Sequence, residues 1–286
     1  MKPKICFVLT TRGNYGKMKS TMTTLQNERN CKLQIIIGGP LVQERYGNYR
    51  NIIESDGFKI DANAPYLDNG ETLLNMLTSA GNSTIEIGKI LLSLNPDIVV
   101  VVADRYETLS IAQAALCLNI PIAHIEGGEV SGSIDDKIRN AISKLADIHF
   151  PSNSDAAINL YKMSIEEEMT HVVGTPSLDL LNDLDLDALE SVQEFLKSNG
   201  NYDCIDLSQK YIVISQHPVV TEYEQTYDQY SITARALLTL GYQLVWILPN
   251  VDAGANEALN VINEFYKDND FPPICTIGSM PFELYA

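Results

Sequence analysis

The sequence predicts an α/β protein built from two doubly wound domains. In the first half, short apolar, β-branched runs alternate with longer stretches of helical periodicity. A second series of the same kind begins near residue 208. The chain has 286 residues, 45% of them hydrophobic, which is enough to fill two cores.

Six apolar runs of the first half are predicted strands, and five longer stretches are predicted helices. The strands are Ile5–Leu9, Leu33–Ile37, Ile98–Val102, Pro121–Glu126, Ile148–Pro151 and His171–Val173. The helices are Lys17–Glu28, Glu71–Leu94, Arg105–Leu118, Ile134–Leu145 and Asp155–Tyr161. Because strands that alternate with helices form βαβ units, we expect a parallel sheet covered on both faces, with ligands beyond the carboxyl ends of its strands.

The pattern breaks after residues 174–176, where an acidic, polar stretch carries one amphipathic helix near Leu186–Leu196. We therefore predict a first domain over residues 1–178, a linker over 179–207 and a second domain over 208–286. The second domain's predicted elements are strands Tyr211–Ser215, Gln243–Leu248 and Ile274–Ile277, with helices Tyr227–Leu240 and Ala253–Tyr266. Three parallel strands followed by the start of another helix indicate an incomplete domain.

Charge and cysteine usage exclude several classes of protein. A net charge of −17 argues against nucleic acid and anionic membranes as partners, because both require clustered Lys and Arg. The first apolar run is too short for a signal peptide or a membrane span. An odd number of cysteines without a CxxC pair indicates free thiols, so we expect a cytoplasmic protein. They are Cys6, Cys31, Cys117, Cys204 and Cys275.

Residues 10–17 are predicted to connect the first strand to the first helix. Backbone N–H groups and the helix dipole bind anions at such positions, and Arg12 and Lys17 add two cations. The segment matches neither the dinucleotide-binding nor the Walker A pattern. The alternative is a plain turn with solvated basic side chains.

Asp104 follows an apolar strand and therefore lies in the expected ligand crevice. The alternative is that Asp104 caps a helix that starts near Arg105. The two roles are compatible.

Residues 124–136 place four carboxylates, a histidine and three glycines together at the end of a predicted buried strand. A carboxylate at such a strand end is costly unless it is paired or functional, so Glu126 is a candidate for proton transfer. His124 is more typical of a core histidine. Ser133 and Asp136 resemble a capping box, and Asp135 has the spacing to pair with Arg139.

The second domain contributes two candidate loops and no metal site. His217 follows a strand, where a histidine contacts phosphate or shuttles a proton, unless it is an ordinary surface histidine. Asn250 and Asp252 follow the next strand and suit sugar or ribose hydroxyls, or an Asx turn. No His/Cys cluster has metal-ligand spacing, so we expect neither a metal nor another cofactor.

These motifs, in this order, resemble the hydrolysing branch of the UDP-N-acetylglucosamine 2-epimerases. The matching segments are residues 11–17 (TRGNYGK), 104–107 (DRYE), 124–136 (HIEGGEVSGSIDD), 139–146 (RNAISKLA), 174–177 (GTPS), 216–218 (QHP) and 249–254 (PNVDAG). The resemblance extends over essentially the whole chain. The long acidic motif is specific to this branch, because non-hydrolysing relatives have a His-Val-Glu-Ala-Gly-Leu-Arg pattern there.

The resemblance implies a GT-B-like fold with two Rossmann-like domains and a nucleotide sugar between them. It implies elimination of UDP from a UDP-2-acetamido sugar, followed by hydration to a free N-acetylmannosamine-type sugar, in nonulosonic (sialic or legionaminic) acid biosynthesis. It further implies a homo-oligomer. By resemblance, the catalytic residues are Asp104, Glu126, Asp135 and His217, and the substrate-binding residues are Arg12, Lys17, Arg105 and Asn250. The order in which the carboxylates act stays open.

The sequence departs from the family at three places. Gly13-Asn14 stands where Ala-Asp is usual, and Ala103 stands where glycine is general. The family's later UDP-binding segment would lie beyond residue 286, so the resemblance implies a C-terminally truncated chain. The alternatives are a non-hydrolysing epimerase and a truncated homologue without activity.

Overall fold

A computed structural model describes residues 2–43, 49–68, 70, 72–184, 189–249, 252–267, 272–278 and 280–285. The chain forms two compact units. The first comprises Met1–Asp68 and Leu77–Asp183, and the second comprises Asn69–Met76 and Leu184–Ala286. The change from one unit to the other at Asp183 falls within the predicted linker.

The first unit is built on a six-stranded parallel sheet in the order β3-β2-β1-β4-β5-β6. Its strands are β1 (Lys4–Leu9), β2 (Lys32–Gly38), β3 (Ala62–Ala64), β4 (Ile98–Val102), β5 (Ile122–Ile125) and β6 (Ile148–Phe150). Its helices are α1 (Arg12–Asn27), α2 (Tyr49–Ser55), α3 (Leu73–Leu94, whose first turn belongs to the second unit), α4 (Tyr106–Cys117), α5 (Asp135–Leu145) and α6 (Ser154–Lys162). This strand order is that of a Rossmann-like domain, as predicted.

Two hydrophobic cores cover the two faces of this sheet. Along β1, Phe7 and Leu9 enter one core, while Cys6 and Val8 enter the other, because successive side chains of a strand point to opposite faces. The first core is completed by α1 and α2, and the second by α3, α4 and α5. The apolar runs of the sequence are therefore strands that are buried on both sides.

The structure corrects three local predictions in the first unit. Helix α1 begins at Arg12 rather than at Lys17, because the Thr11 side chain caps it by accepting a hydrogen bond from the Asn14 N–H. Helix α2 and strand β3 have no clear sequence signal and were not predicted. Residues 171–173 do not form a strand, and Val172 and Val173 are exposed. The segment runs beside β6, where the N–H groups of His171 and Val173 donate to the carbonyls of His149 (2.8 Å) and Pro151 (3.2 Å).

The second unit has a four-stranded sheet in the order β7-β10-β9-β8. Its strands are β7 (Asn201–Tyr202), β8 (Tyr211–Ile214), β9 (Gln243–Ile247) and β10 (Ile274–Ile277). Its helices are α7 (Leu189–Asn199), α8 (Thr226–Leu238), α9 (Ala255–Tyr266) and α10 (Phe282–Tyr285). The predicted three-strand sheet gains β7, an antiparallel edge strand of two exposed residues.

Among the described residues, no helix combines the length and the apolar character that crossing a bilayer requires.

We expect Thr11→Ala to lower the free energy of unfolding by about 1 kcal/mol, because the substitution removes the α1 cap. Thr11→Ser keeps the capping hydroxyl and should lower the free energy of unfolding much less, because serine is favoured at least as strongly as threonine at an N-cap. Urea denaturation followed by circular dichroism measures both. Thr23→Ala, at an exposed position in the same helix, is the control and should not lower stability. Equal losses for Thr11→Ala and Thr23→Ala would contradict the capping role.

Candidate active site

The candidate site lies in the first unit, at the carboxyl ends of β1, β4 and β5. These strands are neighbours in the sheet, since β1 pairs with β4 and β4 pairs with β5. Two residues separate β1 from α1, one residue separates β4 from Asp104, and Glu126 immediately follows β5. The parallel topology therefore brings three of the sequence motifs to one edge, as expected.

Two residues at this edge have strained backbone conformations. Ala103 has φ 60° and Glu126 has φ 61°, both in the left-handed region that costs a residue with a Cβ about 1–2 kcal/mol. Each is held by a ladder hydrogen bond: Ala103 N–H donates to the Ile125 carbonyl (3.0 Å), and Glu126 N–H donates to the Phe150 carbonyl (2.9 Å). The positive φ of Ala103 explains physically why glycine suits this position. Strain of this kind concentrates at functional sites.

His124 is fully buried and supports the strained turn after β4. Its Nε2 lies 2.9 Å from the Ala103 carbonyl oxygen, and its Nδ1 lies 3.0 Å from Ser143 Oγ. Because a carbonyl oxygen can only accept, Nε2 carries the proton and Nδ1 accepts from the Ser143 hydroxyl. Burial lowers the pKa of His124 to about 4, so the imidazole is neutral near pH 7. His124 is thus a core histidine that positions Ala103.

Glu126 is almost completely buried and forms an ion pair with Lys17. Lys17 Nζ donates to Glu126 Oε2, while Glu126 Oε1 has no hydrogen-bond partner among the described residues. Lys17 lies in the second turn of α1 rather than in a loop, and its side chain remains 38% exposed. The strand end therefore presents a buried carboxylate with one paired and one unpaired oxygen, next to a cation that solvent can reach.

Arg139 connects Asp104 to the acidic loop. Its guanidinium is buried and donates to Asp104 Oδ2, to Asp136 Oδ1 (2.7 Å) and to the Glu129 carbonyl (2.7 Å). This corrects two expectations. Asp104 does not cap α4, whose N-cap residue Arg105 has no side-chain capping bond. Arg139 pairs with Asp136 and Asp104, which occupy its guanidinium, and the described ion pairs do not join it to Asp135.

The loop before α5 is folded around Asp136. Its carboxylate accepts from the N–H groups of Ser131 (2.7 Å) and Gly132 (2.8 Å) and from the Ser131 hydroxyl (2.8 Å). These bonds, led by that from the Ser131 N–H, and the Arg139 guanidinium hold the pKa of Asp136 well below its usual range.

Asp135 begins α5 and is partly exposed. The Ser133 hydroxyl donates to Asp135 Oδ2 (2.8 Å) and accepts from the Asp135 N–H (3.2 Å). The predicted capping box is therefore wrong in its pairing, because Asp136 reaches back to residues 131 and 132 instead of to Ser133. Asp135 keeps a carboxylate at the helix N-terminus, where the helix dipole stabilises negative charge.

Arg105 is fixed by a fully buried carboxylate two residues away. Its Nε and one terminal nitrogen donate to the two oxygens of Glu107, at 3.1 and 3.2 Å. This two-point contact orients the guanidinium and compensates the buried charge of Glu107.

Arg12, at the first position of α1, is partly exposed. The three predicted cations of the first unit thus follow β1 and β4.

The remaining predicted residues belong to the second unit. His217 lies after β8 and is exposed, and the neighbouring Gln216 carbonyl accepts a hydrogen bond from the Tyr230 hydroxyl. Asn250 lies outside the described residues.

Sequence reasoning overlooked the roles of Arg139 and Glu107. The i,i+3 spacing of Asp136 and Arg139 is a signal for their ion pair. The contact of Arg139 with Asp104, 35 residues away in the chain, has no local signal. Within the described ranges, no group of three or more His, Cys, Asp or Glu side chains is arranged to hold a metal ion.

Comparison with known proteins gives consistent matches over most of the chain. The sequence profile of the UDP-N-acetylglucosamine 2-epimerase family matches residues 23–286. A UDP-N,N'-diacetylbacillosamine 2-epimerase (hydrolyzing) from Legionella pneumophila is 31% identical over 93% of this chain and 69% of its own length. A UDP-N-acetylglucosamine 2-epimerase from Neisseria meningitidis is 29% identical over 96% of this chain and 70% of its own length.

Solved structures show the same fold. The crystal structure of UDP-GlcNAc 2-epimerase from Neisseria meningitidis bound to UDP-GlcNAc has a TM-score of 0.75 at 16% identity, covering 99% of this chain and 74% of that one. The Methanocaldococcus jannaschii UDP-GlcNAc 2-epimerase in complex with UDP-GlcNAc and UDP gives 0.73 at 19% identity, covering 98% and 75%. The prediction of a GT-B-like α/β fold is confirmed.

Gly128→Ala should destabilise the protein much more than Gly132→Ala does. Both glycines have positive φ (83° and 80°), so both substitutions carry the left-handed cost of about 1–2 kcal/mol. A Cβ at Gly128 would also lie 2.2 Å from the Ala156 carbonyl oxygen, whereas one at Gly132 would meet nothing within 4 Å. The overlap should add roughly 1–3 kcal/mol. Chemical denaturation of the two variants measures the difference, and equal losses would be inconsistent with this packing.

The low pKa of His124 makes stability depend on pH. Since the folded pKa is about 4 and the unfolded value about 6.5, the unfolded chain binds the proton more readily between these values. The free energy of unfolding of the wild type should therefore fall by about 2 kcal/mol more than that of His124→Gln as the pH decreases from 7.5 to 5. Denaturation at both pH values tests this, and ¹⁵N NMR should show a neutral Nε2–H imidazole at pH 6. Titration of the folded His124 near pH 6.5 would refute the assignment.

Proposed function

Because the chain belongs to the UDP-N-acetylglucosamine 2-epimerase family, we propose that it is a hydrolysing 2-epimerase that acts on UDP-N-acetylglucosamine or a related UDP-2-acetamido sugar. The products would be UDP and a free N-acetylmannosamine-type sugar for nonulosonic acid biosynthesis. Hydrolysing epimerases among the relatives support this, as does the acidic motif of residues 124–136. The cytoplasm is the proposed location, supported by five free cysteines.

The observation that carries the proposal is the environment of Glu126. Its Oε2 is paired with Lys17, its Oε1 is buried without a partner among the described residues, and its backbone is strained. An unpaired buried oxygen is costly to maintain for stability alone. A carboxylate of this kind is suited to accept or donate a proton at a carbon atom of a bound sugar.

The proposed reaction has two steps. First, a carboxylate removes the C2 proton while the C1–O bond breaks and UDP leaves with the electron pair, which gives a 2-acetamidoglycal. Water then adds across the C1–C2 double bond. Its oxygen bonds to C1, and a proton reaches C2 from the face opposite to the one that the first proton left, so that the configuration at C2 is inverted. We assign these proton transfers to Asp104, Glu126 and Asp135 as a group.

Cations on the same sheet edge would balance the charge of the departing diphosphate. Lys17 is partly exposed and follows β1, while Arg105 is oriented by Glu107 after β4. Arg12 occupies the first turn of α1, where the helix dipole also favours an anion. From the second unit, we propose that His217 and Asn250 contact the nucleotide sugar.

Product analysis tests the proposed reaction directly. The protein is incubated in deuterated water with UDP-N-acetylglucosamine and, separately, with a UDP-2,4-diacetamido sugar. We expect free mannosamine-type sugar that carries deuterium at C2, together with UDP, as identified by NMR. A UDP-linked epimer as the sole product would instead establish a non-hydrolysing enzyme. Recovery of unlabelled substrate from both would contradict either epimerase activity.

Glu126→Gln and Asp104→Asn should each reduce UDP release by at least about 10²-fold, because each substitution removes a proton-transfer group while preserving shape. Coupled detection of UDP measures the rate, and circular dichroism confirms folding. Glu86→Gln, on the exposed surface of α3, is the matched control and should keep full activity. Near-normal turnover in either site variant would remove that residue from the mechanism.

A further inference from the structure

The hydroxyl of Tyr66 is buried at the edge of the first sheet without a hydrogen-bond partner. One residue separates Tyr66 from the end of β3, and its side chain is only 2% exposed. No described residue forms a hydrogen bond with the hydroxyl. The Thr10 hydroxyl lies close to it but donates to Asn14 Oδ1 instead, at 2.5 Å. A buried phenol without a partner lowers stability, so the folded structure by itself gives no reason for the hydroxyl.

Two glycines allow the Tyr66 ring to lie across the end of β2. A Cβ at Gly38 would lie 2.7 Å from a ring carbon of Tyr66, and one at Gly39 would lie 2.6 Å from the hydroxyl oxygen. Gly39 also has φ 56°, in the left-handed region that glycine adopts without strain. The backbone after β2 therefore holds the Tyr66 hydroxyl at the carboxyl edge of the sheet, the same edge at which the candidate site lies.

The Tyr66 hydroxyl lies within electrostatic range of the Glu107 carboxylate. Burial raises the pKa of Tyr66 well above its ordinary value, and the negative charge of Glu107 raises this pKa further. The phenol therefore keeps its proton and can act as a donor to a carboxylate. Glu107 is fully buried, and Arg105 supplies one donor to each of its two oxygens, at 3.1 and 3.2 Å.

Arg105 has two anions to contact once a diphosphate is bound. Its side chain is 17% exposed, so solvent and a ligand can reach the guanidinium, whereas Glu107 is accessible to neither. A guanidinium that moves toward a phosphate draws at least one N–H group away from Glu107. The carboxylate oxygen that it leaves would be a buried charge without a donor, which would weaken ligand binding. A second donor next to Glu107 would offset this cost.

We propose that Tyr66 is a positioning residue for Arg105 and acts through Glu107. In the free protein, Arg105 donates to both oxygens of Glu107, and the Tyr66 hydroxyl has no partner among the described residues. When the diphosphate of a nucleotide sugar binds, Arg105 turns toward it, and the Tyr66 hydroxyl donates to the Glu107 oxygen that Arg105 leaves. The inference rests on the proposed function, because it requires an anionic ligand at Arg105.

Tyr66→Phe tests the free state without any ligand. Because the substitution removes a hydroxyl that has no partner, the midpoint of urea denaturation should stay unchanged or rise. Tyr15→Phe is the matched control: Tyr15 is also buried, but its hydroxyl donates to Asp56, so its loss should lower the midpoint. A decrease for Tyr66→Phe as large as that for Tyr15→Phe would show that the Tyr66 hydroxyl is already paired, and would overturn the proposal.

Calorimetric titration with UDP tests the bound state. Tyr66→Phe should raise the Kd for UDP about 10- to 100-fold, the factor expected for a hydrogen bond to a charged group, while Tyr15→Phe should bind UDP as the wild type does. Wild-type affinity in Tyr66→Phe would refute this inference and leave the proposed function standing. If the wild type binds no UDP, the proposed function and this inference fail together.

A double-mutant cycle tests whether Tyr66 acts through Glu107. Glu107→Gln should itself raise the Kd for UDP, because it removes the charge that orients Arg105. An amide at position 107 carries no charge that needs a second donor, so Tyr66→Phe should have no further effect on the Kd in the Glu107→Gln protein. Fold-changes that multiply in the double variant would contradict a role through Glu107.

Tyrosine NMR follows the hydroxyl directly in the wild-type protein. With ¹³C at the tyrosine Cζ positions, the Tyr66 signal is the one that disappears in Tyr66→Phe. This signal should shift when UDP is added, because the hydroxyl gains an acceptor, while the Tyr15 signal should not. An unchanged Tyr66 signal at saturating UDP would contradict the proposed exchange of hydrogen bonds.

Discussion

The buried guanidinium of Arg139 is the interaction on which the acidic edge of the first sheet depends. A buried cation must be compensated by nearby acceptors, and Arg139 takes two carboxylates, Asp104 and Asp136, together with the Glu129 carbonyl. Asp104 follows β4, while Glu129 and Asp136 belong to the loop and helix that follow β5. One side chain therefore fixes the end of a strand, the course of a loop and the first turn of a helix relative to one another. Removing it would take the cation away from Asp104 and the donor away from the Glu129 carbonyl at once, and would leave Asp136 held only by the loop of residues 131 and 132.

A neutral, buried histidine holds the backbone at the same edge of the sheet. His124 donates to the carbonyl of Ala103 and accepts from Ser143, so that it holds a left-handed turn that an alanine adopts only under strain. Its lowered pKa follows from burial and keeps a positive charge away from Asp104 and Arg139 near pH 7. Glu126, two residues later, has a second left-handed turn and the buried carboxylate that faces Lys17. Strain and an unpaired carboxylate oxygen thus occur at adjacent strand ends, where a ligand is expected from the topology.

The sequence by itself determined the fold class and most elements, because strands buried on both faces require unbroken β-branched runs and βαβ alternation requires a parallel sheet. It also placed Asp104, Glu126 and Lys17 near one edge, since strand ends of a parallel sheet converge. Only the tertiary structure decided how these residues are paired. Asp135 has the local spacing to bind Arg139, yet that guanidinium donates to Asp104, 35 residues away in the chain, and to Asp136. A buried charge is stable only when nearby groups of opposite charge compensate it, and the fold brings these two carboxylates to Arg139. Likewise, the start of α1 at Arg12 and the short strands β3 and β7 depend on capping and edge pairing rather than on apolar periodicity.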